Sequence, residues 1–189
     1  SMYKVMKYYK GEFDREKWQA DKYAQEHIAG NSSEEFARQD FWPVMRRYLD
    51  KEGRYLDAGC GVGGWILFLN DEGYEVEGID GVARTVRALS EYDRDLKVKI
   101  ADLSSMPFND SYFDGVLMIG TLEYGENEIE LALREARRVL KDKGELFIEV
   151  PMANVLRRIS YIPLKRLEGL WRKLQGRKPT FSNYMFTVR

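Results

Sequence analysis

The stretch Tyr55-Leu56-Asp57-Ala58-Gly59-Cys60-Gly61-Val62-Gly63-Gly64-Trp65 decides the fold. A short apolar run ends in an acid. Glycines follow at 59, 61, 63 and 64, and Trp65-Ile66-Leu67-Phe68-Leu69 continues with helical character. That order reads as a strand, a tight turn and a helix N-terminus. Glycine lets the backbone approach a ligand that a side chain would block, and a helix N-terminus offers N–H groups.

Downstream, strand and helix signals alternate from 53 to 151. Strands are expected at 54–58, 74–80, 96–102, 113–120 and 144–150. The helix after the first strand closes at Gly73, a left-handed C-terminal stop. Another carries Ile129, Ala132, Leu133, Ala136 and Leu140 on one face, with Asn127 and Glu130 at capping positions. Strands joined by single helices imply right-handed crossovers, so the class is α/β with a doubly wound, mainly parallel sheet.

Upstream, residues 1–52 read as a helical, aromatic-rich cap. Ser32 and Glu35 have capping-box spacing, and Pro43 opens a turn carrying Val44, Met45, Tyr48 and Leu49. Residues 152–189 read as a basic amphipathic insert or lid, in which Leu164, Leu167, Leu170, Trp171 and Leu174 recur at helical spacing. From Asn154 to Lys178 there are eight Lys or Arg against one acid, so this segment carries +7 in a chain of net charge -1. The 189 residues suit a single domain with a real core.

One cysteine, Cys60, excludes an intramolecular disulfide and a cysteine-based metal cluster, and one histidine, His27, excludes a multi-histidine metal site. No metal is expected. The small Cys60 suits a tight turn better than the role of nucleophile. Without a long apolar run or a signal-peptide pattern, the expected location is the cytoplasm.

In a doubly wound sheet, ligands bind at the carboxyl ends of the strands. Asp57, Asp80 and Asp102 end the first three expected strands. Gly59, Gly61 and Gly64 fit the G-x-G-x-x-G dinucleotide pattern, and Asp80, in the Asp80-Gly81 turn, can accept both hydroxyls of a ribose. Asp57 opposes a pyrophosphate by like charge, whereas an ammonium or sulfonium group would welcome it.

Asp57-Ala58-Gly59-Cys60-Gly61-Val62-Gly63 resembles the first motif, acid-x-Gly-x-Gly-x-Gly, of the class I S-adenosylmethionine-dependent methyltransferases. The resemblance covers roughly residues 15–151. It implies a Rossmann-like sheet and S-adenosyl-L-methionine as cofactor, leaving S-adenosyl-L-homocysteine as product. It assigns Asp57, Gly59, Cys60, Gly61, Gly63, Asp80 and Gly81 to the cofactor. Asp102 would take the adenine amino group, and the Leu103 backbone would contact the ring. Gly120, after the fourth strand, and Tyr23, paired with Trp18 in the cap, complete the set.

The same resemblance puts Glu123 and Tyr124 on the acceptor side as catalytic candidates. Tyr124 stands where relatives often carry histidine and is a poor base, with an ordinary pKa of about 10. Methyl transfer from a sulfonium needs alignment more than acid–base chemistry, so a sparse catalytic set is expected.

The expected acceptor is a small molecule, and the basic segment favours an anionic one. That segment also suits peripheral contact with a membrane surface. Without a reader motif, no nucleic-acid partner is expected. The family's sheet has seven strands, the last two a hairpin, and only five are expected here. Tyr184–Arg189 resembles the start of the helix leading to the missing pair, with Thr187 as its N-cap, so the chain reads as cut. The fifth strand would then need cover from the basic segment or from a second copy in a homodimer. Two other functions stay open: an NAD-dependent oxidoreductase, and a non-catalytic cofactor-binding scaffold or partner subunit.

Overall fold

The computed structural model describes residues 3–7, 27–28, 33–122, 129–150 and 184–188. Strand β2, Arg54–Ala58, is exposed only at its first residue. Burial on both faces is the condition of a central parallel strand, and it explains the short apolar run before Asp57. β2 pairs in parallel with β3, Glu75–Asp80, on one side and with β5, Phe113–Ile119, on the other. β4, Lys97–Ile100, pairs in parallel outside β3, and β6, Leu140–Glu149, lies outside β5. The order β4-β3-β2-β5-β6 is that of a doubly wound sheet. Its direction of winding reverses at β2, the strand that carries Asp57.

The expected strand 54–58 is observed with the same bounds. The strand expected at 144–150 begins at Leu140, four residues early, directly after the helix Ile129–Val139. In chain order the described helices are α1 (Ser33–Ala37), α2 (Trp42–Met45), α3 (Gly64–Asp71), α4 (Ala83–Tyr92) and α5 (Ile129–Val139). Pro43 lies in the first turn of α2, where its missing N–H costs nothing. α3 stops as expected at Gly73, φ 85°. The N–H groups of Gly73 and Tyr74 donate to the carbonyls of Asn70 and Leu69, each at 2.9 Å, which is a Schellman stop.

The core lies between the sheet and the first three helices. Trp65, Ile66, Phe68 and Leu69 of α3 are buried, so this helix is apolar on most sides. Phe36 of α1 meets the Trp65 ring edge-on at 5.2 Å, and Trp42 of α2 meets Phe68 at 4.9 Å. Edge-to-face pairs add about 0.5–1.5 kcal/mol each beyond their burial. On α5 the buried face is Ile129, Ala132, Ala136 and Val139.

The chain divides into two compact units. The larger, Glu16–Ile119 with Asn127–Ile148, contains the five-stranded sheet as far as Ile148. The smaller comprises Ser1–Arg15, Gly120–Glu126 and Glu149–Arg189. Its described part includes an antiparallel ribbon of β1, Tyr3–Lys7, and β7, Tyr184–Val188, in register from Tyr3↔Val188 to Lys7↔Tyr184.

This ribbon corrects two expectations. Tyr3–Lys7 is a strand within the stretch read as helical, and Tyr184–Val188 is a strand where a helix start was expected. Both segments are rich in aromatic and β-branched residues, which fit a pleated pair. What stabilises them is a partner about 180 residues away in the sequence, which no local pattern announces. Ser32 and the basic segment 154–178 lie outside the described residues. Among the described residues, no helix is long and apolar enough to cross a membrane.

Candidate cofactor site

The site is built where the winding reverses. Asp57 points from the end of β2 into the start of α3 and is only 3% exposed. There it accepts the backbone N–H of Ile66, in the first turn of a helix whose own N-cap, Gly63, has no side-chain cap. A carboxylate at a helix N-terminus is favoured by the helix dipole. Burial nevertheless dominates, and with the neighbouring Asp80 charge it pushes the Asp57 carboxyl up to about 7.

Asp80 ends β3, two residues beyond Gly78, the sheet partner of Asp57. Its Oδ2 accepts the Gly61 N–H at 2.9 Å and its Oδ1 accepts the Val82 N–H at 2.7 Å. One carboxylate thus ties the glycine turn to the entry of α4. Burial raises its pKa against these two hydrogen bonds. Each carboxylate oxygen has a second lone pair, so Asp80 can still accept two hydroxyls. Neither Asp57 nor Asp80 is held down by a cation among the described residues.

The glycines divide by task. Gly59, Gly61 and Gly63 all have positive φ, at 89°, 50° and 84°. A Cβ on Gly61 would meet nothing within 4 Å, so this residue faces open space. A Cβ on Gly63 would run into Leu89 of α4, and one on Gly64 into the Phe36 ring. These two are small so that helices can close on the turn. Cys60 is buried, and its sulfur lies 3.1 Å from where a Cβ on Gly78 would be. Its thiol packs over β3, and burial together with the Asp57 and Asp80 charges pushes its pKa up, away from the thiolate.

The turn was expected to offer N–H groups to a ligand, but four of them are already spent. Gly59 and Cys60 donate to the Ile79 carbonyl at 2.8 and 3.0 Å, Gly63 to the Cys60 carbonyl at 2.8 Å, and Gly61 to Asp80. A pyrophosphate needs such donors and an absence of negative charge. This turn instead supplies a bare backbone surface at Gly61 beside buried Asp57 and half-buried Asp80. The donor set fits a ligand with a cationic end and a ribose.

β3 and β4 carry the site outward. The Ala101 N–H donates to the Asp80 carbonyl at 3.1 Å, and Gly81 lies beside the Ala101 carbonyl. Asp102 begins the next loop and takes the Ser104 N–H and hydroxyl on Oδ1, both at 2.8 Å. Leu103 is half-buried beside it. Gly120 follows β5 with φ 65°, and its N–H donates to the Glu149 carbonyl at 3.3 Å within the smaller unit. Tyr23, Glu123 and Tyr124 lie outside the described residues.

Residues 56–148 match the family described as methyltransferase domain. The chain is 32% identical over 130 residues to the uncharacterized protein MJ1123 of Methanocaldococcus jannaschii, covering 69% of this chain and 60% of that one. It is also 32% identical over 106 residues to sterol 4-C-methyltransferase strm-1 of Caenorhabditis elegans, covering 53% of this chain and 31% of that one. A SAM-dependent methyltransferase from Methanosarcina mazei superposes with a TM-score of 0.65 at 23% identity over 79% of both chains, a likeness of fold. Residues 56–148 are thus a methyltransferase domain of the class I S-adenosylmethionine-dependent kind. S-adenosyl-L-methionine is the cofactor of this family. The chain spans about three fifths of the first curated relative and about a third of the second.

Glu135 and Arg138 of α5 were not singled out from the sequence. Both contact the loop after β4, as described below, and their i, i+3 spacing was the one local sign.

Proposed function

We propose that the protein transfers a methyl group from S-adenosylmethionine to a small, anionic acceptor. The observation that carries this reading is the pairing of buried Asp57 with half-buried Asp80, two acids with no cationic partner among the described residues, beside the open face of Gly61. When bound, the cofactor supplies an electrophilic methyl group on a sulfonium with a neutral leaving group.

The chain's own residues then have limited work. Asp57 neutralises the cationic amino-acid end. Asp80 accepts the ribose hydroxyls while holding Gly61 and Val82 in place. Gly61 lets the ligand lie against the backbone. Burial of Asp57 excludes water and strengthens each of these contacts. Alignment of bound reactants can supply roughly 7–11 kcal/mol of the barrier, so this chemistry needs no dedicated nucleophile. Glu123 remains the candidate base where the acceptor must lose a proton.

The acceptor reading rests on the basic segment 154–178, whose +7 charge favours an anion. The match to the sterol 4-C-methyltransferase covers only part of either chain and does not bring its acceptor with it. Calorimetric titration with S-adenosylmethionine, S-adenosylhomocysteine and NAD tests the cofactor. Turnover with anionic and neutral small molecules then tests the acceptor. Binding of the first two without turnover of any acceptor class would favour a scaffold role.

A further inference from the structure

The loop between β4 and β5 is held by one turn of α5. The Arg138 guanidinium makes two bonds to the Glu135 carboxylate, Nε to Oε1 and Nη2 to Oε2, both 2.7 Å. The same guanidinium donates to the carbonyls of Met106 at 2.9 Å and Phe108 at 2.7 Å, and to Asp110 Oδ1 at 2.7 Å. Glu135 Oε2 in turn accepts the Met106 N–H at 2.7 Å. The carbonyls of Arg138 and Val139 take the N–H groups of Ser111 and Tyr112, each at 2.8 Å. From Met106 to Tyr112, the loop backbone is fastened to a rigid helix.

The near end of this loop lies at the cofactor site. Ala101 is bonded to Asp80, and Asp102 follows. A nucleoside ligand with its cationic end at Asp57 on β2 and its ribose at Asp80 on β3 runs across the sheet in the order β2, β3, β4. The base therefore comes to the loop that leaves β4. Between the base-proximal residues 102–105 and the clamp at Met106 there is almost no slack: Ser105 donates to the Asp102 carbonyl at 3.1 Å and Met106 is buried.

We propose that Glu135 and Arg138 are positioning residues that set the base end of the cofactor site. The bidentate pair fixes Met106, and Met106 fixes the register of residues 102–105 against the base. The inference rests on the cofactor reading above.

The test is calorimetry with S-adenosylhomocysteine and with its analogue carrying hypoxanthine in place of adenine. It is run on wild type, Arg138→Gln, Arg138→Lys, Glu135→Gln and Asp102→Ala, with urea unfolding of each in parallel. Arg138→Gln is expected to lose about tenfold in affinity for S-adenosylhomocysteine and to narrow the preference for adenine over hypoxanthine. Arg138→Lys, which keeps one donor, should recover part of both. The Arg138→Gln loss in an Asp102→Ala background should be smaller than in wild type, because both act on the same contact.

A purely structural pair would lower the urea midpoint and leave the base preference unchanged, which would overturn the proposal. Glu135→Gln is isosteric, so it keeps the question open to measurement if Arg138→Gln does not fold. Wild-type affinity and preference in folded Glu135→Gln would also overturn it. Failure of the wild type to bind S-adenosylhomocysteine would count against the cofactor reading itself, and the clamp would fall with it.

Discussion

The backbone N–H of Gly61 donates to Asp80 Oδ2 at 2.9 Å, joining the glycine turn after β2 to the carboxyl end of β3. The same carboxylate takes the Val82 N–H, so one side chain organises two loops and still has lone pairs for a ligand. Asp80→Ala removes the proposed ribose acceptor and orphans two N–H groups. Its affinity for S-adenosylhomocysteine should fall by about 1.5–3 kcal/mol, with a lower thermal midpoint. Asp80→Asn, which keeps one acceptor oxygen, should lose less on both counts. Titration and melting of the two variants check this, and equal affinity in wild type and Asp80→Ala would remove Asp80 from the site.

The glycine turn predicts a separation of phenotypes. Gly61 faces open space, so Gly61→Ala should act on binding, with a backbone penalty of about 1–2 kcal/mol for a side chain in the left-handed region. Gly64→Ala places a methyl against the Phe36 ring, so it should cost about 1–3 kcal/mol of stability by overpacking and leave the affinity of the folded fraction close to wild type. Urea unfolding and titration on both variants distinguish the two. A Gly64→Ala protein that is fully stable but does not bind would reverse the assignment.

Much of this was legible in the sequence, for definite reasons. Asp57 and Asp80 sit at strand ends with Gly61 in the turn after the first, and a parallel strand buried on both faces leaves a short apolar run that points to its own terminus. The stop at Gly73 was readable because only a left-handed residue closes the helix there. What escaped was non-local. The sequence does not distinguish Gly61, open to a ligand, from Gly63 and Gly64, closed against Leu89 and Phe36. Nor does it show that Tyr3–Lys7 pairs with Tyr184–Val188, or that Arg138 reaches a loop some thirty residues earlier.

Tyr55 gives a test of the sheet independent of any ligand. Its hydroxyl donates to the Asp50 carbonyl at 2.9 Å and accepts the Asp50 N–H at 2.6 Å, and its ring lies against Gly115 on the neighbouring strand. Tyr55→Phe preserves the ring and strands both Asp50 groups. The expected cost is about 1–3 kcal/mol in urea unfolding, with cofactor affinity retained. Gly115→Ala would push a methyl to 2.8 Å from the Tyr55 ring and should cost as much by a different route. A neutral Tyr55→Phe would mean that water satisfies Asp50 equally well.

Charge at Asp57 links stability to pH. An unfolded aspartate titrates near 3.9, whereas burial and the Asp80 charge hold the folded Asp57 carboxyl at about 7. Between those values the native state binds more protons than the unfolded chain, so stability of the free protein falls as pH rises through that window. The raised Asp80 acts in the same direction. About three pKa units set an upper limit of roughly 4 kcal/mol. A cationic cofactor favours the ionised acids and releases the proton, so its stabilising effect should grow over the same range. Thermal melts from about pH 5 to pH 8, with and without S-adenosylmethionine, check both signs. The free protein should melt lower at the alkaline end, the cofactor-induced gain should be larger there, and Asp57→Asn should flatten both trends. A free protein whose midpoint rises steadily to pH 8 would mean that Asp57 is ionised in the fold and already has a cationic partner.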